Sequence, residues 1–196
     1  MKALSTRNFG LLIAYLIPGF VALLGASLVS PSLRVWLLGQ SSAGPTLGGF
    51  LFVTIASIGA SMTASAVRWA VVDAFHHLTG LRRPVWDEAV LDRKLEAFNY
   101  LVENHYRYHQ FYGNTFVAVL FGYVLWRISP EGRGTPAGWV EAGVLILAGV
   151  FLAGSRDALR KYFDRASRLL AEREGHHDQR QLPRRRNHDL DPPEAP

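Results

Sequence analysis

Two long stretches without an ionisable side chain dominate this sequence, Phe9 to Leu33 and Val35 to Val67, with Arg34 alone between them. A helix needs roughly 20 consecutive apolar residues to cross about 30 Å of hydrocarbon. Both stretches exceed that length, so the fold class they impose is an all-α, polytopic membrane protein. Of the 196 residues, too few polar ones remain to build a separate globular domain of any size.

Four spans are expected, at about 9–29, 47–67, 111–126 and 137–155. The first carries Pro18, whose missing N–H neighbouring helices must compensate. Its apolar region is longer than a signal-peptide core, so it reads as a span, although Gly25-Ala26-Ser27 imitates a cleavage site. A Pro- and Gly-rich loop follows, over residues 30–47, with Trp36 suited to the interface. In the second span Ala56, Ala60 and Ala64 repeat every four residues, and so do Ser57, Ser61 and Ser65. Side chains this small let another helix approach closely, which replaces the hydrophobic driving force that lipid cannot supply. The face Ile58, Met62, Ser65, Trp69, Val72, His76 keeps helical spacing past Arg68, until Gly80 and Pro84 end the helix.

From about Asp87 the stripe Leu91, Leu95, Phe98, Val102, His105, His109, Tyr112, Phe116 predicts one long helix running into the third span. Helices 2 and 3 are thus expected to extend beyond the bilayer as a cytoplasmic helical hairpin, residues 68–110. Glu141 sits near the start of the fourth span, where a charge is cheap. Residues 156–174 read as a basic amphipathic helix with Leu159, Phe163, Ala166 and Leu170 on one face, able to lie on anionic lipid or to pack back on the bundle. Residues 175–196 have the composition of a disordered tail.

Charge sets the expected orientation. Eighteen of the 21 Lys and Arg residues fall in the N-terminal segment, the middle loop with its helix margins, and the C-terminal tail. Only Arg34, Arg127 and Arg133 lie on the other side. The excess of cations on cytoplasmic loops places both termini and the middle loop in the cytoplasm of a cell-membrane protein. The absence of cysteine excludes disulfides, thiolate metal sites and cysteine nucleophiles.

One constellation carries chemistry. His76 and His77 end the second helix, and His105 and His109 lie four apart on the third, where the two should meet. Two histidines at that spacing beside a carboxylate suit zinc or iron, which would make the chain a membrane-embedded metalloenzyme. Membrane di-iron enzymes need about eight histidines, and the helices here offer four. The histidines read more simply as amphipathic residues at the wet end of the bundle. Arg68, Asp73, Glu103 and Arg107 form a possible polar cluster. Arg68 with Asp73 reads as an interfacial ion pair or as two independently solvated charges rather than a catalytic unit, since residues five apart share an α-helical face poorly. The sequence holds no nucleotide loop, nucleophile elbow or zincin motif. Arg184 to Arg186 lacks aromatic interleaving, which favours lipid headgroups over nucleic acid as its anion. The preferred function is a non-enzymatic membrane component without a cofactor: a structural or interaction subunit, or a pore built as a homo-oligomer through small-residue faces.

Overall fold

The computed structural model describes residues 6–38, 46–84, 88–136 and 138–171. Among them every regular element is helical. In chain order they are α1 (Thr6–Ser27), α2 (Pro31–Leu38), α3 (Leu47–Leu78), α4 (Glu88–Arg93), α5 (Leu95–Ile128), α6 (Pro130–Arg133) and α7 (Trp139–Ala171). By length and composition α3, α5 and α7 can each cross a membrane. Of the four expected spans, then, three meet that measure. In α1 the apolar stretch defined by the described side chains, Ala14–Ser27, is shorter.

α3 begins at Thr46, whose hydroxyl accepts from the Gly49 amide and satisfies one of the unpaired N–H groups of the first turn. Beyond Arg68 it continues to Leu78, as the apolar spacing predicts, but through a π-helical turn at Trp69–Asp73. The long helix expected from Asp87 is interrupted. Lys94 leaves helical geometry (φ −113°, ψ 23°) and separates α4 from α5, while its ammonium donates to the Leu169 carbonyl. α5 also contains a π turn, at Val102–Tyr106, and runs unbroken through Gly113 and Asn114. The last span and the basic helix after it form one element, since no breaker intervenes and α7 passes straight through Ser155. Asp87 and the 175–196 tail lie outside the described residues.

α1 packs between α3 and α5. The repeat of small residues in α3 supplies this contact, with Ser57 and Ser61 fully buried and Ala64 nearly so; Ala56, Ala60 and Ser65 are only partly covered. The approach is close enough that a Cβ on Gly19 would sit 1.7 Å from the Ser57 carbonyl oxygen.

At the opposite end of the long helices a second core forms by a different means. Leu81, Leu159 and Tyr162 are buried together, with Phe98, Leu101, Val102, Tyr106 and Phe163 against them. The described part of the basic helix packs back on the hairpin. Large aromatics fill this core, where each buries a large apolar area.

The two sets of loops gather at opposite ends. Arg34 in α2 reaches Glu131 in α6 at 3.3 Å, joining the cation-poor loops. The Glu131 carboxyl is held below the usual carboxylate range by its own backbone amide and the Ser129 hydroxyl, with Arg34 adding a smaller push. At the other end Arg156 donates to the Thr79 carbonyl at 2.9 Å.

Gly19→Leu is expected to separate α1 from α3 and lower the melting temperature in detergent, because overpacking a tight contact costs about 1–3 kcal/mol or more. Gly59→Ala, with nothing within 4 Å of its new Cβ, should leave it unchanged or slightly raised.

Candidate functional site: a buried Arg–Asp–His lock

The charged residues of α3 meet α5 and α7 just beyond the small-residue packing. In an α-helix, positions five apart are rotated by about 140° from each other. The π turn at Trp69–Asp73 bonds each residue to the fifth, which brings Asp73 over Arg68. Arg68 Nη1 donates to both Asp73 carboxylate oxygens, at 2.7 and 2.8 Å. The two side chains retain 4% and 14% of their exposure, so the pair is largely desolvated.

The same guanidinium nitrogen donates to His109 Nε2 at 2.7 Å. Asp73 Oδ1 lies 3.1 Å from that ring nitrogen, both facing the cation. With Nε2 accepting, the proton of a neutral imidazole sits on Nδ1. Nδ1 lies 3.0 Å from the Ser155 carbonyl oxygen and 2.9 Å from Ser155 Oγ, so α7 closes the network. Gly113 makes room for it: a Cβ there would stand 2.5 Å from Arg68 Cδ. His76 is fully buried beside the lock, its Nε2 3.4 Å from Ser155 Oγ and its ring 6.0 Å from that of His109.

The four histidines considered as metal ligands divide. His76 and His109 come together, whereas His77 Nδ1 bonds the Leu81 carbonyl at 2.8 Å and His105 Nε2 accepts from Arg165 at 2.7 Å. The lone pair of His109 Nε2 faces a guanidinium, which would have to leave before a metal could take its place. Among the described residues no group of three or more His, Asp or Glu side chains is placed to share a metal ion. Glu103 and Arg107 pair with each other at 3.6 Å, one turn apart.

Asp73, His109 and Ser155 are in sequence a carboxylate, an imidazole and a hydroxyl, the groups of an acyl-transfer relay. A general base must offer a lone pair to the hydroxyl. In the tautomer whose Nε2 accepts from Arg68, Nδ1, the nitrogen that meets Ser155, carries the proton and cannot do so; the relay needs the other tautomer, with Nε2 donating to Asp73. What the arrangement does accomplish is mechanical: one buried cation ties three helices at one level.

The spacing of the sequence singled out Arg68, Asp73 and His109. Ser155 was missed as a partner, because its carbonyl contribution has no side-chain signature. Compared with protein-family models, curated proteins and solved structures, the chain has no match.

Asp73→Ala should cost roughly 3–5 kcal/mol in detergent unfolding, since it leaves a buried guanidinium without its anion. The double variant Arg68→Met/Asp73→Leu should recover most of that loss, because it removes the charge together with its partner. Equal losses in the single and double variants would show that packing, not charge pairing, holds the helices here.

Proposed function

We propose that the chain is a non-enzymatic integral component of the cell membrane, a bundle of four transmembrane helices that acts as a structural or interaction subunit. The observation that carries this reading is the state of His109. It is fully buried with both ring nitrogens engaged, one by Arg68 and one by Ser155, so the most reactive-looking cluster in the chain is spent on holding helices together.

α1 serves as the fourth span. Its 22 residues give about 33 Å of helix, enough for a typical bilayer core. Both termini and the 68–110 hairpin face the cytoplasm. The cation balance supports this orientation, and so does the clustering of α2 with α6 at one end and of the hairpin with α7 at the other. The outward faces of α3 and α7 carry large apolar side chains, Ile55, Met62, Leu145 and Ile146 among them. These faces meet lipid, a second copy or another membrane protein. The basic half of α7 draws on anionic headgroups.

The cysteine-free sequence makes the topology directly testable. Single cysteines in place of Arg82 and Thr135 should react with a membrane-impermeant maleimide from opposite sides, Thr135→Cys in intact cells and Arg82→Cys only after permeabilisation. Labelling of both in intact cells would overturn the four-span arrangement.

A second reading, an oligomeric pore, draws on a specific observation. Asn114 lies fully buried in the apolar part of the bundle, and neither polar atom of its side chain has a hydrogen-bond partner. Water or a permeating ion would satisfy both. If this reading holds, purified protein in liposomes conducts ions and Asn114→Leu abolishes the flux; intact liposomes with no flux from the parent protein would eliminate it.

A further inference from the structure

The lock has a cavity at its side. About 710 Å³ opens between the π turn of α3, the start of the apolar part of α5 and the distal half of α7. Asp73 and His109 line it from the lock, Trp69 and Tyr106 contribute aromatic rings, and His77 and Arg83 contribute basic groups. Ala70 and Ala74 on α3 leave space that larger side chains would occupy. The Asp73 carboxylate brings little net negative charge, because Arg68 binds both of its oxygens.

A second cavity, about 320 Å³, shares one lining residue, Phe163, with the first. Arg82, Arg156 and Arg160 line it. Arg156 also holds the Thr79 carbonyl, and Arg160 lies 3.9 Å from Asp164, the one carboxylate in this lining. The two linings together hold four arginines, Arg82, Arg83, Arg156 and Arg160, and two carboxylates, Asp73 and Asp164. Arg156 also directly follows Ser155, where the charge-free part of α7 ends. Both cavities therefore sit at the level where the helices leave their apolar environment.

We propose that the two cavities together seat one anionic phospholipid of the cytoplasmic leaflet. Its phosphate faces the arginines of the smaller cavity and Arg83, and its glycerol and upper acyl carbons lie along Trp69 and Tyr106. Three features fit that occupant and fit together. Guanidinium groups match phosphate oxygens in geometry and charge. Indole and phenol rings favour the headgroup level. The larger volume falls in the range of preformed small-molecule sites. The inference rests on the membrane placement proposed above.

Native mass spectrometry of the full chain in detergent, titrated with phosphatidylglycerol, phosphatidylcholine or glycerol phosphate, tests it. Phosphatidylglycerol should occupy a single site at least about fivefold more readily than either of the others. Ala74→Phe, which fills the larger cavity, and the pair Arg83→Gln and Arg156→Gln in one chain should each cut that occupancy by about threefold or more. Arg34→Gln, at the opposite end, should not change it. Should Ala74→Phe prevent folding, the arginine pair decides alone, with its melting temperature in lipid-free detergent certifying the fold. Equal binding of the two lipids, or phosphatidylglycerol binding that ignores both variants, overturns the proposal. Glycerol phosphate binding as strongly as the lipid also overturns it, by pointing to a soluble phosphate instead. The membrane reading fails separately: the chain would then be absent from alkali-washed membranes, whereas a failed lipid site leaves it embedded.

Discussion

A guanidinium out of water is tolerated only where acceptors converge on it, and that requirement organises this protein. Arg68 finds a carboxylate on its own helix and an imidazole on α5, and the imidazole finds a carbonyl on α7. Because each bond has a narrow range of length, three helices must stand in one register at one level. Gly113 and the widened turn at Trp69–Asp73 are the local concessions that make this register possible.

On either side of that level different forces hold the bundle. Toward α1 the contacts are between small residues, with Gly19 against the Ser57 backbone and Gly25 against Gly122. These contacts gain from dispersion at short range, which close backbone approach makes large. Toward the hairpin, Tyr162, Leu159 and Leu81 gather the aromatic and aliphatic side chains of α5 and α7. There the burial of large apolar side chains contributes most. The lock stands at the junction of the two regimes, where α3 changes from Ser and Ala to Trp, Asp and His.

Much of this was legible beforehand, and the misses share a cause. The helical class, the packing face on α3, its continuation past Arg68 and the meeting of His76 with His109 all follow from residue type and the 3.6-residue period. Arg68 and Asp73 read either as an ion pair or as two separately solvated charges, because that same period gives them poorly matched faces; the π turn changes the phase and the pair forms. The long helix expected from Asp87 broke at Lys94 although its apolar stripe continues, since the ammonium bond to α7 is invisible to periodicity. His77 and His105 resembled their neighbours in sequence, yet each turns to a partner of its own, Leu81 and Arg165.

Taken alone, the sequence determined where the long helices run, which are apolar enough to enter a bilayer, and where the cations concentrate, although the short helix α2 reads there as part of a loop. Those properties depend on local composition, and a helix satisfies its backbone within itself. Only the tertiary structure decided that Asp73 stands over Arg68, that one nitrogen serves both Asp73 and His109, and that the Ser155 backbone completes the set. Those choices depend on the phase of a turn and on distances between helices, and a linear pattern of side chains carries neither.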